Sequence, residues 1–433
     1  MPAPPTARGV AATVLARVAS DAAFAAAALD AELERAVQLE PRDRALATEL
    51  VYGALRLLPW LEERVARHAT RGLDAVEPLV RAHLVLAAYQ VLVLTRVPAF
   101  AAVNEAVTAV RGLRGAKVAG FANAVLRKIA AEPRPSEEEL ARAALASVDP
   151  ALRDAVVRAI GEEEARAIFL AGDAPPLGLR IEDASARDAW LARFREARPH
   201  ATFEAGRASP HAIVARGAGK LAELPGAGTE AWTAQEEGSQ VVALALGARA
   251  GDVVLDACAG RGNKTGLLAR AVLPGGAVDA ADLHPKKLER LARELERIGL
   301  APRATFAVDW ARGAGGATGP YDRILVDAPC SGTGTLRRRP ELALRRALGD
   351  VAALAETQRA IVRRAATLLR PGGRLVYAVC SVLREEAEDV VADAPSLAPA
   401  PFDASIATGE TTFRLLPSRH GTDGYFLASF VRT

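Results

Sequence analysis

Along residues 7–132 the apolar positions recur at helical spacing: Val10, Val14, Leu15 and Val18, then Leu46, Leu50, Ala54 and Leu57, then Leu84, Ala87, Ala88 and Leu92. No stretch there alternates apolar and polar residues as a strand does. Breaks at Glu40-Pro41, Arg71-Gly72 and Val97-Pro98 separate the stripes, so the pattern predicts an all-helical domain. Glu132-Pro133-Arg134-Pro135 reads as a stiff linker, because proline fixes its own φ and restricts the residue before it. Ser136, followed by Glu137, Glu138 and Glu139, reads as a helix cap with an acidic first turn, and two short helices are expected over 136–171. From Pro175 the pattern predicts a small α+β unit, with strands at 177–181 and 212–215 and a helix at 185–197. Beyond Trp232 strands at 253–256, 277–281, 304–308, 321–326 and 374–379 alternate with helices at 265–272, 286–298 and 350–369. That alternation predicts a doubly wound parallel sheet, closed by an antiparallel hairpin of 413–416 and 425–430. The expected fold is a multidomain α and α/β chain divided at 1–133, 134–234 and 235–433.

Length supports several domains, since 433 residues exceed one ordinary core. Composition is globular, half apolar and one quarter charged. The net charge of +3 neither argues for nor against nucleic acid, but residues 1–135 hold 17 Lys and Arg against 13 Asp and Glu. Three widely spaced cysteines, Cys258, Cys330 and Cys380, make a disulfide framework improbable and point to a reducing compartment. No metal-ligand spacing is present, so no metal is expected. The N-terminus lacks a secretory pattern, and the apolar run at 84–94 is broken by Gln90 and too short to span a bilayer. A cytoplasmic, monomeric protein without a membrane partner is expected.

The segment 255–266, Leu-Asp-Ala-Cys-Ala-Gly-Arg-Gly-Asn-Lys-Thr-Gly, joins the first strand of the sheet to a helix. Ligands of such sheets bind beyond the carboxyl ends of the strands, and glycines such as Gly260 and Gly262 permit close backbone approach. Asp282, ending the next strand, is placed to accept hydrogen bonds from a ribose. Nucleotide hydrolysis is disfavoured, since Asn263 precedes Lys264 and Cys258 stands where a phosphate loop has its first glycine. A dehydrogenase turn uses similar glycines, however.

Two further motifs carry chemistry. Asp327 and Cys330 lie just past the strand at 321–326, in Asp-Ala-Pro-Cys-Ser-Gly-Thr-Gly, and Cys380 just past the strand at 374–379. A single free cysteine is often only a small buried hydrophobe. A pair at analogous strand ends, one beside a carboxylate, suits cytosine C5 methylation better. A thiolate added to C6 gives C5 enamine character, a carboxyl near N3 supports the developing charge, and a base must then remove the C5 proton. Position alone leaves the two thiols symmetric, and Pro329-Cys330 would fit the cysteine-after-proline nucleophile of DNA cytosine methyltransferases. Cys258, inside the turn, reads as packing.

With these motifs the chain resembles the Nol1/Nop2/Sun family of RNA cytosine-5 methyltransferases. The runs at 327–334 and 380–381 carry the likeness, together with Gln235-Glu-Glu-Gly-Ser-Gln240 and Gly421-Thr-Asp-Gly-Tyr-Phe426. The helical segment resembles a NusB-type RNA-binding domain in Arg44–Arg56, Ala88-Tyr-Gln90, Val103-Asn-Glu-Ala106 and Asn123-Ala-Val-Leu-Arg127, a fusion typical of the bacterial Sun (Fmu) type that acts on 16S ribosomal RNA. Residues 174–235 resemble an RNA-recognition-like module. The resemblance implies S-adenosylmethionine as cofactor, surrounded by Cys258, Ala259, Gly260, Arg261, Gly262, Asn263, Lys264, Asp282, Asp309 and Asp327. It implies Cys380 as nucleophile, Cys330 as the residue that helps release product, and Lys264 and Asp327 near the base. RNA, as 16S ribosomal RNA or a small-subunit precursor, is the implied partner.

Three positions depart from the family pattern. Asn263 replaces a glycine, Val379 replaces the threonine before the nucleophile, and Glu182 replaces an asparagine, a change expected to touch only the small module. Arg337, Arg338 and Arg339, with Arg345 and Arg346, form a basic cluster suited to phosphate contacts. Competing readings are transfer RNA as substrate, a non-catalytic RNA-binding or assembly factor, and a nicotinamide oxidoreductase, which the paired cysteines disfavour.

Overall fold

The computed structural model describes residues 5–69, 72–170, 175–344, 347–392, 394–403 and 409–433. They form two compact units, one of Met1–Asp154, Ala165–Pro175 and Leu336–Arg346, the other of Ala155–Glu164, Pro176–Thr335 and Ala347–Thr433.

The first unit is helical. Its helices are α1 (Ala7–Ser20), α2 (Ala25–Arg35), α3 (Pro41–Arg56), α4 (Leu58–His68), α5 (Pro78–Leu92), α6 (Ala99–Ala130) and α7 (Glu137–Ala146). Proline in the first turn starts α3, α4 and α5, where its missing N–H costs nothing. Helix α5 is the centre: every residue from Ala82 to Leu92 is buried, which is why its sequence looks apolar all round. Ser136 and Glu139 form a reciprocal capping box on α7. The stripes at Val10–Val18, Leu46–Leu57 and Leu84–Leu92 fall on α1, on α3 with Leu57 closing it, and on α5.

Two helices, not one, follow α7 before the small sheet: α8 (Pro150–Ile160) and α9 (Glu162–Phe169). Asp149 caps α8 by accepting from Leu152 N at 3.1 Å, and Gly161 at φ +83° ends it. The count expected over 136–171 was therefore one too few. Segment 336–344 is packed into the helical unit. Leu336, Pro340 and Leu344 line a small cavity with Leu55, Val148 and Phe169, and buried Glu341 accepts a hydrogen bond from Ala25 N at 3.2 Å.

The second unit holds two sheets. The small one, β1 (Leu177–Ile181), β2 (Thr202–Ala205), β3 (Ala212–Arg216) and β4 (Trp232–Ala234), is antiparallel in order β2-β3-β1-β4. Strands β2 and β4 are too short to have been legible as alternation. Helix α10 (Arg187–Ala197) covers one face through Leu179, Ile181, Phe194, Phe203 and Trp232. The other face carries Gly178, Arg180 and Glu182 and lies against the chain at 235–236, so close that a Cβ on Gly178 would stand 2.4 Å from Gln235 O. An RNA-recognition sheet stacks bases on aromatics of an open face. Here the β1 part of that face is buried and none of Gly178, Arg180 and Glu182 is aromatic, while the β2–β3 part exposes Thr202, Glu204 and Arg216, none of them aromatic.

The large sheet has the order β10-β12-β9-β8-β5-β6-β7, with a further strand, β11, paired to β12. Its parallel strands are β5 (Val253–Asp256), β6 (Ala277–Asp282), β7 (Ala304–Ala307), β8 (Tyr321–Asp327) and β9 (Leu369–Val379); β10 (Leu397–Pro399), β11 (Thr412–Leu415) and β12 (Tyr425–Arg432) complete it as antiparallel partners. Helices α11 (Glu237–Leu244), α12 (Asn263–Ala271), α13 (Pro285–Arg297) and α14 (Val351–Leu368) flank it. Strand order reverses at β5, which has β6 on one side and β8 on the other. Ligands bind at such a switch point. No helix among the described residues is long and apolar enough to cross a membrane.

Candidate active site

The turn after β5 is built by glycine. Gly262 sits at φ +91°, and a Cβ there would come within 2.8 Å of Leu291 Cγ. At Gly260, φ +58°, nothing lies within 4 Å of the Cβ position, so that backbone face is open to a ligand. Asp282 ends β6 and shapes the same turn: its Oδ2 accepts from Gly260 N at 3.1 Å and its Oδ1 from His284 N at 2.8 Å, with Lys287 Nζ 3.4 Å away. Beside it Leu283 is 56 % exposed, an apolar surface at the mouth of the turn that the sequence reading passed over. Arg261 and Asn263 are exposed, Ala259 is buried, and Cys258 packs with Leu255 and Trp310. Burial first, then the carboxylates of Asp256, Asp327 and Asp282, push the Cys258 thiol well up, which fits a packing role. Asp309 lies just past β7, where its carboxylate accepts from Ala311 N at 3.0 Å and meets Arg312 Nε at 3.3 Å.

The substituted position Asn263 opens α12, and its carbonyl accepts from Arg180 Nη1. Arg180 is almost wholly buried and also reaches Gln235 Oε1 at 2.6 Å and Glu182 Oε1 at 3.0 Å. Glu182 Oε2 stands 3.5 Å from Arg270 Nε, near the end of α12. The expectation that Glu182 touches only the small module is thus corrected. Arg180 and Glu182 brace both ends of the helix that follows the turn, because the sheet face carrying them packs there.

A further carboxylate was not anticipated. Asp256, the last residue of β5, is fully buried, with Thr265 Oγ1 donating to its Oδ2 at 2.7 Å. Burial lifts its pKa to about 7; the Thr265 hydrogen bond opposes this and the Asp327 charge adds to it.

Parallel neighbours β8 and β9 bring the two cysteine motifs together. Asp327 pairs with Ala378 in register, and the sulfurs of Cys330 and Cys380 lie 3.4 Å apart. Lys264 Nζ stands 2.7 Å from Asp327 Oδ2, so the turn after β5 reaches the same place. Burial works against the Lys264 charge, but Asp327 and the Cys380 sulfur outweigh it and hold its pKa above the ordinary value. The Cys330 thiol is pushed well up, first by the hydrogen bond with Cys380, then by burial, then by the charges of Cys380 and Glu386.

The loop carrying Cys330 is locked to the C-terminal segment. Gly334 N donates to Cys380 O at 3.0 Å, Gly424 N donates to Gly334 O at 2.8 Å, and a Cβ on Gly334 would fall 2.0 Å from Gly424 O. Asp423 N donates to Glu236 Oε1 at 2.9 Å, which ties in the segment at 235–240. Val379 is buried in the sheet opposite Phe426. Arg337, Arg338 and Arg339 belong to the helical unit, while Arg345 and Arg346 lie outside the described residues. No group of three or more His, Cys, Asp or Glu among the described residues is arranged to hold a metal.

Comparison with known proteins agrees with this geometry. Residues 243–431 match the family described as 16S rRNA methyltransferase RsmB/F, and residues 5–131 match the NusB family. The chain is 34 % identical to the ribosomal RNA small subunit methyltransferase B of Pseudomonas putida over 98 % of both chains. It is 31 % identical to the protein of the same name from Shewanella oneidensis, covering 90 % of this chain and 91 % of that one. Among solved structures, PH0851 superposes with a TM-score of 0.80 at 22 % identity over 99 % of each chain. NSun6 from Pyrococcus horikoshii superposes with a TM-score of 0.58 at 19 % identity, over 66 % of this chain and 99 % of that one. The two cysteine strands, the glycine turn and full-length likeness lead to one assignment: the chain belongs to the RsmB family of 16S rRNA methyltransferases, with a NusB-like domain at its N-terminus.

Proposed function

We propose that this protein transfers a methyl group from S-adenosylmethionine to carbon 5 of a cytidine in 16S ribosomal RNA, with Cys380 as nucleophile and Cys330 as the residue that completes release. The observation that carries this reading is the 3.4 Å approach of the two sulfurs beside the Lys264–Asp327 pair. In functional terms we divide the chain into an RNA-binding helical part at 1–133, a connector and small module at 134–234, and the methyltransferase part at 235–433. Three free thiols suit the reducing cytoplasm.

The residues present fit the cofactor. The open backbone face at Gly260, the carboxylate of Asp282 at the neighbouring strand end and exposed Leu283 offer a nucleoside its polar and apolar contacts. Cys258, Ala259, Arg261, Gly262, Asn263, Lys264, Asp309 and Asp327 complete the surroundings. Bound there, S-adenosylmethionine supplies an electrophilic methyl group on a sulfonium.

This chain's residues do the rest. The Cys380 thiolate bonds C6 of the cytosine, breaking the ring's conjugation and giving C5 enamine character. The negative charge this places on the ring at N3 and O2 is met by the Lys264 ammonium, while the Asp327 carboxylate paired with it accepts a hydrogen bond from the exocyclic amine. C5 then bonds the methyl carbon, and the electron pair of the methyl–sulfur bond leaves with the sulfur. Cys330 then gives its proton to solvent and, as thiolate, takes the proton from C5. The C5–H pair reforms the double bond, and Cys380 leaves as thiolate.

The test is methyl transfer from labelled cofactor to purified 16S and transfer RNA, followed by bisulfite mapping. A single protected cytidine in 16S RNA is expected. Label confined to transfer RNA would move the substrate assignment, and cofactor binding without transfer to either would leave an RNA-binding factor.

A further inference from the structure

The two catalytic sulfurs are held by different means. Cys380 directly follows β9, whose residues up to Val379 pair with β8 on one side and β12 on the other. Its place is set by a sheet. Cys330 sits in a loop, and that loop is gripped from behind by two buried side chains. Glu386 is fully buried; its Oε1 accepts from Ser331 N at 2.8 Å and from Gln358 Nε2 at 3.1 Å, and its Oε2 accepts from Ser331 Oγ. Gln358, equally buried in the middle of α14, also donates to Pro329 O at 2.9 Å. The residues on each side of Cys330 are therefore fixed by one Glu–Gln pair. Tyr377 closes the group, its hydroxyl 2.6 Å from Glu386 O and 3.1 Å from Gln358 Oε1.

Resting on the roles given above to the two cysteines, we propose that Glu386 and Gln358 are positioning residues for the release half of the reaction, holding the Pro329–Ser331 turn so that Cys330 stays within reach of the reacting base. Loosening this pair frees the loop and leaves the sheet intact. Attack by Cys380 and methyl transfer then proceed, while removal of the C5 proton slows. The groups that face the Cys330 sulfur electrostatically are Cys380 and Glu386; Tyr377 faces both Cys330 and Glu386 from β9. Glu386 and Gln358 are both fully buried, so water does not take over their hydrogen bonds without opening the loop.

The experiment is a single turnover with full-length protein, S-adenosylmethionine and 16S RNA. It compares wild type, Glu386→Gln, Gln358→Leu, Cys330→Ala and the double variant Glu386→Gln/Cys330→Ala. Three readouts run together: methyl groups transferred, protein–RNA adduct surviving denaturing electrophoresis over time, and thermal unfolding. We expect adduct lifetime to lengthen by roughly tenfold or more in Glu386→Gln and Gln358→Leu, while first-turnover methyl transfer stays within about threefold. In the double variant the adduct should last no longer than in Cys330→Ala alone, since both changes act on one step. Ser331→Ala, which removes the hydroxyl's links to Glu386 and to Ser381 Oγ and spares the buried pair, should shift lifetime in the same direction by less. It keeps the test open if a buried substitution prevents folding. Methyl transfer and release falling in parallel, or adduct lifetime unchanged, would overturn the positioning role. If Cys330→Ala itself leaves no lasting adduct while methyl transfer continues, the cysteine assignment falls first and this inference with it.

Discussion

The ammonium of Lys264 and the carboxylate of Asp327 meet at 2.7 Å, although one residue follows β5 and the other ends β8. The pair is a structural tie between the cofactor turn and the cysteine loop, and both members are about three-quarters buried or more. Lys264→Met leaves Asp327 without its partner. We expect single-turnover methyl transfer to fall roughly 10²–10³-fold, the scale of losing one charge-stabilising group in an active site. Cofactor affinity, measured by calorimetry, should change far less than the rate.

The two sulfurs predict opposite trapping. Cys380→Ala should abolish methylation and covalent RNA attachment together, because no thiolate remains to bond C6. Cys330→Ala should transfer one methyl group and then stall as an adduct visible on denaturing gels. Adduct in Cys380→Ala and none in Cys330→Ala would reverse the roles.

Cofactor binding should depend on Asp282 for two reasons. Its carboxylate is the proposed acceptor for a ribose, and it also holds Gly260 N in the turn. Asp282→Ala is expected to weaken S-adenosylhomocysteine binding by about 1–2 kcal/mol, the value of hydrogen bonds to a charged group. Unchanged affinity in a calorimetric titration would mean the ribose lies elsewhere.

Asp256 makes a prediction about pH. Its pKa is about 7 in the folded protein against 3.8 for a free side chain. The native state therefore binds more protons than the unfolded state between those values, so this residue's contribution to stability declines as pH rises from about 4 through 7. Asp256→Asn should gain stability relative to wild type across that window, approaching on the order of 4 kcal/mol at its alkaline end. Denaturant melts at pH 5 and pH 8 measure the difference directly, and a constant gap between the two proteins would disprove it.

Glu182 stands among Arg180, Arg270 and Arg297, and burial already works against the Arg180 charge. Glu182→Gln should cost about 3–5 kcal/mol, the loss expected when one partner of a buried pair is removed. The double variant Arg180→Met/Glu182→Gln should recover much of that in urea melts.

Much of this site was legible in the sequence because strand ends announce it. Asp282, Asp327 and Cys380 each end or follow a predicted strand, and the parallel order brings those ends to one edge. Adjacency itself was not legible: only the pairing of β8 with β9 puts Cys330 beside Cys380. Arg180 was unreadable for a different reason. In Leu-Gly-Leu-Arg-Ile it alternates outward, as a solvent-facing residue would, and only the packing of that sheet face on α12 makes it buried. Asp256 and Glu386 escaped notice because a buried carboxylate leaves no periodic trace; Asp256 is held by Thr265 in the first turn of the following helix and Glu386 by Ser331 and Gln358 far along the chain.

Segment 336–344 has a consequence for the order in which the protein is made. The helical unit draws its last piece from there, with Glu341 seated on Ala25 N and Leu336 beside Leu55 and Phe169. A ribosome adding about 5–20 residues per second needs roughly 8–30 s to travel from residue 175 to residue 336. Throughout that interval the helices are complete but their seat for Leu336 and Leu344 is bare. A nascent chain arrested in that window should capture a hydrophobic dye or a chaperone at this seat, and lose it once residue 346 has cleared the exit tunnel. A protein shortened to begin at residue 134 would keep Val148, Ile168 and Phe169 of that seat but lose Leu55 and the Ala25 N–H that receives Glu341.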